Sequence, residues 1–297
     1  MQPSATFGTR PWLPRGRLGF FTLVLAYAGL VLACLLTLLA AGDLSWGRAP
    51  WHNLLKTVSE FAHPSFLDLW WGPERVEYRS DDGTLLRVEN RQHVEAQFLA
   101  GLGRATWTTF QIATLGSLLA AVMALPLGLL SARNLNAPAW ASRTASTLLD
   151  TLRAIHTLVF GLVLVGIVGL GPTAGILAIA LHSMGTYGKL YAESIETIDM
   201  GAVDAVRATG ASPSQVFFSA VWPSVLPQFV SNHVYVWEFN IRDSTILGLI
   251  GAGGLGLLIS EAVSLFQWSR LATIILVVIA VVMAFDALSR RIRKALL

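Results

Sequence analysis

ATWTTFQIATLGSLLAAVMALPLGLLSA, residues 105–132, carries no Asp, Glu, Lys or Arg. Crossing the hydrocarbon core takes about 20 apolar residues wound as a helix, because lipid offers no partner to a free backbone N–H or C=O. The run is expected to be a transmembrane helix, with Pro126 and Gly128 late in it, where they can kink it. Downstream, residues 154–188 again lack all four charged residue types. That length is too great for one span and suits two, joined by a turn at Gly169-Leu170-Gly171-Pro172. Upstream, residues 18–41 are uncharged and follow Arg10, Arg15 and Arg17. A cleaved signal peptide is the rival reading there, but the apolar part exceeds the ~7–15 residues usual for one. Residues 229–250, which contain Glu238, Arg242 and Asp243, and residues 271–288 complete six expected spans.

The composition agrees. Of 297 residues 54% are hydrophobic and 13% charged, about half the ~25% charged share of a soluble domain. The expected class is all-α: a polytopic membrane protein of six transmembrane helices, the last five forming a core. Residues 1–41 are read as a cytoplasmic N-terminus and first helix, 42–104 as a periplasmic insert, and 105–297 as the transmembrane core with a cytoplasmic loop over 193–228. The net charge of +3 is small and the basic residues gather at the two ends, which speaks for membrane orientation and against nucleic acid. With Cys34 the single cysteine, an intrachain disulfide and a cysteine metal cluster are both excluded.

Basic residues crowd the N-terminus, the linker holding Arg133 and Arg143, and the tail of Arg290, Arg291, Arg293 and Lys294, whereas residues 43–104 mix seven basic with nine acidic residues. Both termini are therefore expected in the cytoplasm. Parity alone places residues 189–228 on the same side, since that segment has two basic and four acidic residues.

Within that segment, residues 200–221 form an amphipathic stretch in which Ala205, Ala208 and Gly210 lie close together before Pro213. Small residues allow a partner to approach closely, and a Gly after a short helix supplies a left-handed cap. The frame Asp204-Ala205-Val206, Gly210, Ala220, Trp222-Pro223 resembles the cytoplasmic loop of permeases of ATP-binding-cassette importers, which reads Glu-Ala-Ala, three residues, Gly, nine residues, Ile, one residue, Leu-Pro. Gly210 and Pro223 keep the spacing and Asp204 keeps the acid; Val206, Ala220 and Trp222 depart from it. The surrounding text, DAVRATGAS, LPQFVSNHVYVWEFNIRDSTILGLIGAGGLG and GLGPTAGILAIALHSMGTYGKLYAESIE, is similar to the phosphonate-permease branch of that family, over about residues 105–290. Where the family commonly has Pro-Glu, this chain has His156-Thr157, and the charged insert over 68–95 is longer than the branch leads one to expect.

The resemblance implies a transport subunit, not an enzyme, that moves phosphonate or a related phosphorus oxyanion. It also implies separate ATPase subunits at the cytoplasmic face, a periplasmic substrate-binding protein, and a second permease copy or paralogue. Asp204, Ala205, Ala208, Gly210 and Pro223 are then the ATPase-coupling residues. A permease for another small solute such as methionine stays open, as does an ion-coupled secondary transporter or a membrane enzyme; the secondary transporter would show inverted repeats, which the sequence lacks.

Arg242 inside the fifth span is costly at membrane depth, about 2.5–3.5 kcal/mol. It is expected either to pair with Glu238 at i, i+4 or to line the path of an anion. Glu238, Asn240, Arg242, Ser244 and Thr245 are the candidate path residues, and Asp243 is expected to face water or a partner helix. GLIGAGGLG, residues 248–256, has neither a βαβ setting nor an acidic ribose partner and is read as a turn. His156, His182 and His233 are too dispersed for a metal and are expected to be buried hydrogen-bonding groups. No cofactor is expected, and no G-x-x-x-x-G-K-[ST] loop is present to bind ATP.

Overall fold

The computed structural model describes residues 17–42, 50–72, 75–80, 82–135 and 137–296. Arg10 and Arg15, which set the expected orientation, lie outside them. The chain divides into two units, residues 1–56 and 57–297. In the first, α1 (Arg17–Ala41) is one uninterrupted helix whose large apolar residues, among them Phe20, Leu25 and Tyr27, stand exposed. That pattern suits a helix whose solvent is lipid.

α2 (Pro50–Phe61) leads into the second unit, where a 3-10 turn (Ser65–Leu67), α3 (Asp68–Trp71) and an antiparallel hairpin follow. β1 (Arg75–Arg79) and β2 (Leu85–Asn90) pair with Arg75 opposite Asn90. The sequence had marked this segment only by its charge. α4 (Arg91–Ser131) then runs for 41 residues, its first turn capped by the Asn90 side chain, which accepts from the Gln92 N–H at 2.9 Å. It starts well before the apolar run at residue 105. Val94, Phe98 and Leu102 recur at intervals of four and keep an apolar stripe going beneath the charges. Charge here marks where the helix leaves lipid, not where it ends.

α5 (Ala139–Ala154) and α6 (Thr157–Val168) meet at a bend of 88°. The expected turn follows at Gly169 and Gly171, with φ of 96° and 140°, and leads into α7 (Pro172–Glu196). α7 is the hub: α4, α5, α6 and α10 (Trp222–Leu247) all pack on it. Small residues permit that crowding. A Cβ at Gly185 would lie 2.6 Å from the Leu149 carbonyl oxygen, so the backbones of α7 and α5 nearly touch. Between α7 and α10 come α8 (Met200–Ala208), α9 (Pro213–Val216) and a single π-turn over Phe217–Val221.

The glycine-rich stretch is a turn, as expected, but it does more than end a helix. A second π-turn, Gly248–Ala252, is followed by α11 (Leu255–Ser264) and then α12 (Trp268–Leu296). Gly251, Gly253 and Gly254 all take positive φ, and α11 leaves at a bend of 55° with its first turn close against the end of α10. A Cβ on Gly256 would sit 2.0 Å from the Thr245 carbonyl oxygen, and Thr109 Oγ1 on α4 accepts the Leu255 N–H at 2.8 Å. α11 was not foreseen, because a short apolar helix beside a longer one has no sequence signature of its own.

Among the described residues α1, α4 and α12 are each long and apolar enough to cross a membrane, and counting each bent pair as one span raises this to five. α7 has the length, 25 residues, but carries His182, Ser183, Tyr187 and Lys189, tolerable because protein rather than lipid surrounds most of it. The chain is a multi-pass, helical membrane protein.

Candidate functional site

Two places gather the residues singled out in the sequence. The first is the helix–turn–helix between α7 and α10. Asp199 caps α8 by accepting the Gly201 N–H at 2.9 Å, and Ser212 and Gln215 form a capping box on α9. Gly210 has φ +81°, the left-handed cap its position demanded. Beneath, Val203, Val216, Ala220 and Val221 are buried as one cluster. Above, Asp204, Ala205, Ala208 and Gly210 are exposed, and Asp204 pairs with Arg207 at 2.9 Å on the surface. An exposed pair of this kind contributes little to stability, and the small residues Ala205, Ala208 and Gly210 form an exposed ridge beside it. Pro223, also exposed, sits in the first turn of α10.

The second place is the middle of α10, whose faces have different jobs. On one, Glu238 is buried and accepts from Arg242 Nη2 at 2.5 Å, with Arg293 of α12 at 3.8 Å from its other oxygen. The Arg242 guanidinium also lies 5.0 Å over the Phe239 ring. The pairing at i, i+4 is therefore real, and Arg242 keeps 43% of its side chain exposed. On another face Asn240 is buried; its Oδ1 accepts from Ser183 at 2.8 Å and its Nδ2 donates to Ser117 at 2.7 Å, tying α7, α10 and α4 together. Ser244 and Thr245 are buried and turn their hydroxyls back to the Ile241 carbonyl, at 2.8 and 3.3 Å.

Asp243, expected to face water or a partner helix, meets α6. It does not simply face open water: its Oδ2 accepts from Thr157 of α6 at 2.7 Å. Together with His182, Ser183, Thr186, Tyr235 and Asn240 it lines a cavity of about 160 Å³. Of the expected path residues, Asn240 alone among the described residues lines that cavity. The signal that could have found it is the α10 stripe Val236, Asn240, Asp243, one helical face by spacing. The three histidines are hydrogen-bonded, but none is fully buried: His182 and His233 are half-buried. His182 Nδ1 donates to the Ile155 carbonyl at 2.8 Å and His233 faces the Tyr187 hydroxyl at 3.1 Å. His156, however, is exposed and caps α6 by accepting the Leu158 N–H at 3.2 Å.

With this geometry established, comparison with known proteins places the chain. Residues 124–297 match the model of the family described as binding-protein-dependent transport system inner membrane component. The chain is 40% identical over 186 residues to a phosphite transport system permease protein of Stutzerimonas stutzeri, covering 63% of this chain and 68% of that one. It is 35% identical over 198 residues to a phosphate-import permease protein of Mycolicibacterium smegmatis, covering 67% of this chain but only 37% of that protein. Among solved structures, the inward-facing MetNI methionine ABC transporter superposes with a TM-score of 0.60 at 22% identity, over 68% of this chain and 98% of that one; at that identity it speaks for the fold alone. The exposed helix–turn–helix, the α7 hub and the matched span coincide, and the chain belongs to the family of binding-protein-dependent transport system inner membrane components.

Proposed function

We propose that the chain is the permease subunit of an ATP-driven importer that carries phosphite, phosphonate or a related phosphorus oxyanion across the bacterial inner membrane. The observation that carries this reading is the 40% identity to a phosphite permease over 186 residues, a stretch as long as the helical core itself. Two permease subunits, identical or paralogous, enclose one path. ATPase subunits dock on the α8–α9 ridge of Asp204, Ala205, Ala208 and Gly210 with Pro223 behind it, and a substrate-binding protein delivers cargo at the opposite face. Both termini lie in the cytoplasm and the segment over residues 42–104 lies in the periplasm. ATP-driven closure of the ATPases shifts the ridge and opens the path outward; hydrolysis resets it. Glu238, Asn240, Arg242, Ser244 and Thr245 stand along α10 beside that path, Ser244 and Thr245 shaping its helix from within.

Reconstitution tests this. Proteoliposomes holding the permease with its ATPase and binding protein are expected to take up phosphite or an alkylphosphonate only when ATP is present. Uptake of methionine in place of either anion, or uptake driven by an ion gradient without ATP, would overturn the reading.

A further inference from the structure

The small cavity between α7 and α10 has apolar walls at Val236 and Phe239 and, among its polar groups, acceptors that an anion site does not usually present. One oxygen of Asp243 takes the Thr157 hydroxyl at 2.7 Å, and the other takes no hydrogen bond among the described residues. An ionised carboxylate only accepts. His182 adds a second acceptor. Its Nδ1 is 2.8 Å from the Ile155 carbonyl oxygen; a carbonyl cannot donate, so the hydrogen sits on Nδ1, and the tautomer this selects for a neutral imidazole is the one with Nε2 bare. Donors stand beside them. The Ser183 hydroxyl is directed to Asn240 at 2.8 Å and one Asn240 N–H to Ser117 at 2.7 Å, which leaves the second Asn240 N–H and the hydroxyls of Thr186 and Tyr235. Neither Lys nor Arg lines the cavity, and Arg242 on the same helix turns to Glu238 at 2.5 Å.

We propose that this cavity, lined by His182, Thr186, Asn240 and Asp243, is a stopping place for the cargo in which the protein accepts the hydrogen of a P–OH group, so that oxyanions bearing such a proton pass and sulfate does not. The inference rests on the reading above that the cargo is a phosphorus oxyanion. The P–OH donates to Asp243 or to His182 Nε2, while the bare oxygens of the same anion accept from Thr186 and Asn240. Sulfate has no hydrogen to give and meets a carboxylate of its own sign, a repulsion that grows as water is excluded. Discrimination by an unmatched polar partner exceeds discrimination by size between two tetrahedral anions. With no cation to trap the anion, the hold stays weak, as a site on a path requires: cargo must enter and also leave.

The test uses full-length permease in detergent micelles and follows phosphite and phosphate binding by phosphorus NMR line broadening, with sulfate added as competitor. At neutral pH both phosphorus anions are expected to bind, and sulfate to compete at least ~tenfold less well than phosphite. Above the second pKa of each anion, phosphate keeps a P–OH and is expected to bind still. Phosphite, whose remaining hydrogen is on phosphorus, is expected to stop binding. In Asp243→Asn, whose carboxamide can donate, sulfate is expected to compete within about threefold of phosphite; Thr186→Val is expected to weaken all three anions ~tenfold. Sulfate competing equally in the unaltered protein overturns the proposal, as does phosphite binding undiminished when dianionic. Binding of 2-aminoethylphosphonate without methylphosphonate would also overturn it, by assigning the cavity to an ammonium group. Should Asp243→Asn not fold, the sulfate and pH arms decide without it. A reconstituted complex that moves no phosphorus oxyanion defeats the proposed function; one that does, with a permease indifferent to P–OH, defeats this inference alone.

Discussion

Arg242 donates to Glu238 one turn earlier on α10 at 2.5 Å, joining a half-exposed cation to a buried carboxylate. Removing the cation strands the carboxylate, with Arg293 at 3.8 Å as partial relief. Arg242→Gln is therefore expected to lower stability by about 1–3 kcal/mol, less than the ~3–5 kcal/mol for breaking a fully buried pair. Adding Glu238→Gln should recover most of that loss. Folded yield by size-exclusion chromatography and cargo uptake are measured together in both single variants and the double variant. If Arg242 lines the path, the double variant regains yield but not uptake, and Arg242→Lys keeps part of the transport; full uptake in the double variant removes Arg242 from the path.

Gly210 lies at φ +81° with open space where a side chain would project. Gly210→Trp should thus cost this chain only the ~1–2 kcal/mol of a left-handed non-glycine residue, while obstructing whatever docks on the ridge. Normal membrane insertion with loss of ATPase co-purification and of uptake is expected. Uptake at the unaltered rate would take the ridge out of coupling.

The close approach of α11 to α10 depends on Gly256, where a Cβ would fall 2.0 Å from the Thr245 carbonyl. Gly256→Ala is expected to reduce folded yield severely, because backbone cannot swing aside as a side chain can. Gly166 of α6 has nothing within 4 Å of its would-be Cβ; Gly166→Ala should hold or gain ~0.5–1 kcal/mol. Thermal unfolding of the two variants in detergent should separate them widely.

Asp82 and Gly83 form the exposed tip of the hairpin between β1 and β2, a place that tolerates insertion. A reporter there should read periplasmic and one fused after Leu297 cytoplasmic. Labelling of the Asp82 reporter from the cytoplasm would contradict the orientation drawn from the basic flanks.

Long uncharged runs made the helical class and the turn before α7 legible, since hydrophobic length alone carries that information. The left-handed Gly210 was legible for a similar reason: few residues suit that backbone. Three features were not. The start of α4 was hidden by charges that sit on a continuing helix, α11 by its neighbour, and the Thr157–Asp243 hydrogen bond by the 86 residues between its partners. Which helices meet across that distance is a tertiary fact that residue spacing does not encode. The Glu238–Arg242 pair, by contrast, followed directly from i, i+4 geometry.

α4 carries its proline close to one end: Pro126 lies five residues before the helix stops at Ser131, so roughly 50 Å of unbroken helix extends beyond it. That rod is laced to α7 along its length, with Gly116 set against Ile179 and Gly128 against Gly188. One uninterrupted helix therefore acts as a spacer, fixing how far the hairpin that begins at Asn90 stands from the turn after Ser131.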